Sequence, residues 1–443
     1  MVNREVESTI WWKYMCLKSC NIVGHRKRLQ KGSGKKAMRK KTFLLFLALL
    51  LLLLALPLTV FLLQRQQKTQ KQAAIHLQHY EYVFPDGWMY VYDMDKNHAL
   101  IKSVPLPTTK GVRGPIVHAG TGMLYLSYGS DGPNGPGYLL KYNLVTNQIV
   151  WNISYPYAVD TVSITPDGKT IYQAGGEKAP AGIWHIIDVA TGKEKGNITS
   201  SAGSGPHNTI VSLNGSHVYM GGIINTNYIV IADTASNTVI KQIGPLADGA
   251  GRPFTINGKE TLLFTTGSNS FGFQVSDITT GKVLYTVPIK GFAPANYCCP
   301  YNHGISLSPD EKELYVIDGP NSYVHVFNVS GLPAVPPKQV ADIPVTSLTG
   351  TDSPCAINCG REGWLQHSVD GRFVYVGDAG DVIDTATRKV VAHLAPLANT
   401  RKFIEVDWQN GKPIFASQSK GVGYVTGTSL TPNYTGQNAV FHC

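Results

Sequence analysis

Gln366 to Leu394 reads QHSVDGRFVYVGDAGDVIDTATRKVVAHL. Two turn signals, Val-Asp-Gly and Asp-Thr-Ala-Thr, separate three short runs rich in β-branched and aromatic residues. Glycine tolerates the positive φ of tight hairpins, and aspartate accepts hydrogen bonds from the backbone just beyond it. The period-2 alternation of the runs predicts strands, not helix. The stretch is therefore a string of hairpins.

The same pattern recurs along the chain. Its second signal returns as DMDKN at Asp93, NLVTN at Asn143, DVATG at Asp188, DTASN at Asp233, DITTG at Asp277 and NVSG at Asn328, before DTATR at Asp384. The intervals are 50, 45, 45, 44, 51 and 56 residues. Its first signal returns in VSITPDGKTIYQ from Val162, IVSLNGSHVYM from Ile210 and ISLSPDEKELYV from Ile305. Each repeat supplies four short strands, the size of one propeller blade, and radial closure hides the sheet edges. The first copy, from Trp88, matches a blade's last two strands, and the segment KFIEVDWQNGKPIFASQ from Lys402 matches the first two. Together they predict an all-β, seven-bladed β-propeller with four-stranded blades and a composite closing blade.

These residues resemble the YVTN-type β-propeller repeat family, most closely in VIDTATRKVVAHL from Val382 and IVIADTASNTVIKQI from Ile229. The resemblance covers roughly 85–426. It implies the fold but leaves function open, because similar propellers include surface proteins, lactonases, and metal- or quinone-associated periplasmic proteins.

Composition agrees with an ordered all-β body: 443 residues, 43% apolar, 15% charged, with 45 Gly and 22 Tyr. The net charge of +10 is local. Residues 1–41 carry twelve Lys/Arg against two Asp/Glu, whereas 42–443 carry twenty-seven of each. A nucleic-acid partner is therefore not expected. Thr42 to Leu63 is an uncharged apolar run long enough to cross a bilayer, preceded by a basic cluster. The expected order is a basic cytoplasmic segment (1–41), a transmembrane signal-anchor helix (42–63), a polar stalk (64–84), the propeller (85–426) and a C-terminal tail (427–443). That order makes the protein a single-pass membrane protein with its ring outside the cytoplasm. The alternative is a cleaved signal and a secreted propeller.

The residue entering each innermost strand faces the central channel. Counting back from each first hairpin gives Arg113, Asp160, His207, His303 and Gly363, with Arg252 in blade five and Lys402 beside Phe403 in the composite blade. Arg361, Glu362 and Glu405 are expected near the same rim. The ligand-binding candidates are therefore Arg113, Asp160, His207, Arg252, His303, Arg361 and Lys402. Arginine forks would suit a small anionic or polar ligand, although the same groups could simply satisfy one another and ordered water. Histidine before Gly-Ile-Ser-x-Ser-Pro-Asp is common in the resembling family, so His303 could be a feature of the repeat. No nucleophile motif is present and no catalytic residue is assigned. Binding of a ligand or protein is favoured over catalysis. The enzymatic alternative is a lactonase-like hydrolase at the channel mouth, with His207, His303 and Asp160 as candidates.

Cys299 and Cys359 occupy equivalent positions in adjacent blades. Disulfides between the Cys298/Cys299 and Cys355/Cys359 pairs are expected, stapling blade six to blade seven. A metal site from Cys299, Cys359, His303 and His367 has loose spacing, so no metal and no cofactor are expected. The DMDKN run lacks an EF-hand frame and reads as a turn.

Overall fold

The computed structural model describes residues 77–417, except 201–203, 225, 248–250, 268–269 and 298. The basic segment and the predicted span 42–63 lie outside the described residues. Among those described, no helix is long and apolar enough to cross a membrane.

Seven antiparallel sheets follow one another around a ring. Blade two is typical, with strands Val112–His118, Met123–Gly129, Gly137–Asn143 and Gln148–Tyr155 running from the channel outward. The repeat signals earn their place in the turns. Asp188 Oδ1 accepts from both the backbone N–H and the hydroxyl of Thr191, Asp384 does the same with Thr387, and Asp233 with Ser236. The next residue then enters the left-handed region, as Gly192 (φ 70), Asn237 (φ 55) and Asn147 (φ 58) do, which explains the preference for Asn or Gly there. Asp93 takes the same role, accepting from the Asp95 N–H and from Lys96 Nζ.

Packing repeats as well. Tyr125, Tyr172, Tyr219, Tyr315 and Tyr375 sit at one position of the second strands of blades two, three, four, six and seven, with Phe264 there in blade five, each at most 1% exposed. Four of the hydroxyls find polar partners: Tyr172 donates to Asn237 Oδ1, Tyr219 to Glu260 Oε2 and Tyr315 to Glu313 Oε2, and Tyr375 pairs with His98 Nδ1. In every blade the register shifts by a bulge between the third and fourth strands. Bulges of this kind add local twist.

Ring closure differs from expectation. The composite blade takes three strands from the N-terminal side (Leu77–Val83, Trp88–Asp93, Ala99–Pro105) and one, Phe403–Gln409, from the C-terminal side. The propeller thus begins by Leu77, inside the segment expected to be stalk. Leu77–Val83 pairs along its whole length with Phe403–Gln409, from Leu77 opposite Gln409 to Val83 opposite Phe403. The second strand read at the C-terminal end, Lys412–Ala416, is displaced to the other edge of Phe403–Gln409, toward the channel. There Pro413 approaches Gly122 of blade two, and Ser417 reaches Gln366 of blade seven. A fifth strand therefore narrows the lower channel.

Candidate functional site

The connections between blades bring a charged cluster to the upper channel mouth. Arg113, at the start of blade two, is 4% exposed. Its Nη2 lies 2.8 Å from Asp160 Oδ2 and 3.1 Å from Glu177 Oε1, with Asp131 3.9 Å from Nη1. Asp160, from the connection into blade three, also accepts from His207 Nδ1 at 2.7 Å. Arg252 Nη1 lies 3.3 Å from Glu177 Oε2 and 3.4 Å from His303 Nε2. The His207 and His303 rings stack with centroids 6.0 Å apart. Five of the seven candidates, Arg113, Asp160, His207, Arg252 and His303, thus form one connected group.

Lys402 is half-buried, its Nζ 6.0 Å from the centroid of the Trp364 ring. Arg361 lies to one side, its Nε 3.6 Å from Asp352. Glu362 does reach the mouth, 3.2 Å from His303 Nε2. Glu405 does not. It projects mid-strand into the seam of the composite blade, fully buried, where its Oε2 accepts from the Val369 N–H.

A cationic majority at this mouth fails to develop because the loops leaving the second strands supply acids. Asp131, Glu177 and Asp378 were absent from the inner-strand count, yet the arginines pair with them. Arg401, likewise absent, donates to Asp378 at 3.0 Å and to the carbonyls of Gly360 and Asn358. A signal was available in the sequence, since an acid ends the second strand at Asp318 and follows it within a few residues at Asp131, Glu177 and Asp378.

Protonation follows from this wiring. Burial alone would raise the pKa of Asp160, but Arg113 and His207 overcome it and hold it at about 2. Glu177 is held well below its usual range, against burial, by Arg113, His207 and Arg252. Burial lowers His207 despite Asp160, and burial with Arg252 and Arg401 nearby lowers His303 strongly. Both imidazoles are therefore neutral. His303 Nδ1 must carry a proton because it faces the Gly363 carbonyl at 3.0 Å. His207 donates from Nδ1 to Asp160, which leaves its buried Nε2 bare and without a partner among the described residues.

A roof covers the cluster. The connection from blade six to blade seven, residues 345–363, reaches across the mouth. The Ala356 N–H donates to Asp86, and Ile357 packs over Gly111, both near the entry to blade two. Asn358 Nδ2 donates to Asp131 at 2.5 Å and to Glu177 of blade three, on the far side of the ring. A disulfide ties Cys355 to Cys359 within this roof. The expected blade staple is thereby corrected: Cys355 and Cys359 bond each other, and Cys299 is disulfide-bonded elsewhere. A local loop closes more readily because the two cysteines are only four positions apart. With Cys359 so engaged and His367 of blade seven held by Ser306 of blade six, the Cys/His metal set does not assemble.

Two open grooves are present as well, the first bordered by the roof residue Ile357. One, of about 580 Å³, is lined by Pro107, Tyr128, Tyr138 and Ile357. The other, of about 480 Å³, is lined by Asn257, Asp277, Leu307 and Leu332.

No family model matches the chain, and no curated protein matches it. Solved structures do. A chain of a mitotic checkpoint complex is 15% identical with a TM-score of 0.51, covering 67% of this chain and 80% of that one. The hydrazine synthase of Kuenenia stuttgartiensis is 16% identical (TM-score 0.48; 62% and 77% covered). The Cps50 (Swd1) propeller domain of Myceliophteria thermophila is 10% identical (TM-score 0.49; 65% and 86% covered). At these identities the likeness is one of fold.

Proposed function

We propose that the chain is a propeller interaction module, anchored in a membrane through residues 42–63 and presenting its loop-bearing face outside the cytoplasm. The observation that carries this reading is the mouth itself. Its arginines are answered by carboxylates from the protein, and residues 345–363 cover them, so the face offers a fixed polar surface more than an open pocket. The likeness to a component of a mitotic checkpoint complex, a protein assembly, supports the reading at the level of fold alone. The test is proximity labelling in the source cells with Ile357→Asp and with a control substitution on the opposite face, Thr121→Lys. A partner lost with the first and kept with the second supports the module. Identical labelling patterns would oppose it.

One observation favours a second reading, a lactonase-like hydrolase. His207 is oriented by Asp160 at Nδ1 and bare at Nε2, the arrangement of a general base. Lactone hydrolysis that vanishes in His207→Gln would establish it.

A further inference from the structure

The seam that closes the ring gathers four ionisable side chains. Leu77–Val83 and Phe403–Gln409 pair in a register that sets Glu81 opposite Glu405 and His79 opposite Asp407. Side chains alternate along a strand, so all four project from one face. Glu81, Glu405 and Asp407 are each at most 1% exposed. His79 Nδ1 lies 2.8 Å from Asp407 Oδ1 and 3.7 Å from Glu405 Oε1. One donor atom each from His79, Glu405 and Asp407 falls within 4.8 Å of the others.

Like charges directly opposite across strands are destabilising, and buried carboxylates need compensation. The channel mouth, which also brings an Asp, a Glu and a His together, has that compensation in Arg113 and Arg252. The seam differs. Among the described residues no lysine or arginine pairs with Glu81 or Glu405, and Glu81 Oε1 and Glu405 Oε1 are buried without a hydrogen-bond partner.

We propose that this seam is a divalent-cation site, bound through His79 Nδ1, Glu405 and Asp407, with Glu81 as a further oxygen donor. One imidazole with carboxylates is a mixed nitrogen and oxygen set, suited to zinc or manganese, and the absence of thiolate disfavours softer ions. The ion enters from the side of His79, whose side chain is 13% exposed, while the carboxylates are sealed beneath it. Bound there, it clips together two strands whose ligands stand 328 positions apart.

The test uses the full chain, freed of metal with a chelator that is then removed, and titrated separately with Zn2+ and Mn2+. Binding is followed by calorimetry and stability by thermal unfolding. The expected result is one ion per chain bound at the seam and, at a hundredfold excess over Kd, a rise in Tm of roughly 4 °C. His79→Ala should weaken binding at least tenfold and remove the rise. Glu81→Gln guards against a variant that fails to fold. It removes a repelled carboxylate, so the metal-free protein should melt higher than the parent while its gain from the ion shrinks. His207→Ala, in the channel, should keep the full gain. The proposal is overturned if neither ion binds saturably, or if the gain persists in His79→Ala and Glu81→Gln.

Discussion

His79 and Asp407, 328 positions apart in the chain, meet at 2.8 Å across the strand pair that closes the ring. That contact places Leu77–Val83 within the folded ring. A chain beginning at residue 85 lacks the whole strand Leu77–Val83 and leaves Phe403–Gln409 without its partner. It should fail to give a cooperative unfolding transition, whereas one beginning at residue 75 should unfold in a single step. Thermal denaturation followed by near-UV circular dichroism distinguishes the two.

Asp160 holds Arg113 and His207 at once, in a position closed to solvent. Replacing it with asparagine leaves the guanidinium short of a counter-charge, at a cost of about 3–5 kcal/mol. The pH dependence has a definite sign. The folded pKa, about 2, lies below the unfolded value, so the stabilisation is complete above roughly pH 4 and fades as pH falls toward 2. Urea unfolding of Asp160→Asn should be destabilised at neutral pH and lack that share of the acid loss.

Asp352 behaves in the opposite sense. Burial and the neighbouring Asp378 raise its pKa to about 8. Its contribution is fully present below roughly pH 4 and is lost as pH climbs through 8. Asp352→Asn should therefore flatten the decline in stability across that window, as read from urea midpoints at successive pH values.

The Cys355–Cys359 bond closes a very short loop, so its entropic effect is small. Loss of the bond in Cys355→Ser/Cys359→Ser should cost about 2 kcal/mol or less. The roof should nonetheless loosen. Limited proteolysis should cut first between 345 and 363, with the seven blades intact by circular dichroism.

The blades were legible because their signals are local. An aspartate four residues before a left-handed position makes a turn wherever it occurs, and Asp188, Asp233 and Asp384 all do so in the structure. The closing strand was hidden because its inward side chains include His79 and Glu81. Polar residues in alternation read as stalk, and the strand they pair with, carrying the Asp407 that His79 meets, lies more than 300 positions away. Inner-strand counting found Arg113, Asp160, His207 and His303, which share one offset from a turn. Glu177, Asn358 and Arg401 come from connections of unequal length, where no offset applies. The cysteine pairing escaped for the same reason: equivalence between blades favoured a long-range staple, whereas the roof folds back on itself.

The strand that completes the four-stranded sheet of the first blade is also nearly the last to be made. Pro105 ends the three strands that wait for it, and Phe403 begins it, 298 residues later (403 − 105). At synthesis rates of about 5–20 residues per second, those strands stand for roughly 15–60 s with one edge unclaimed. Through that interval the nascent chain carries a template for pairing with any extended neighbour. The time that edge stays open is set by translation speed, a quantity separate from the final stability of the ring.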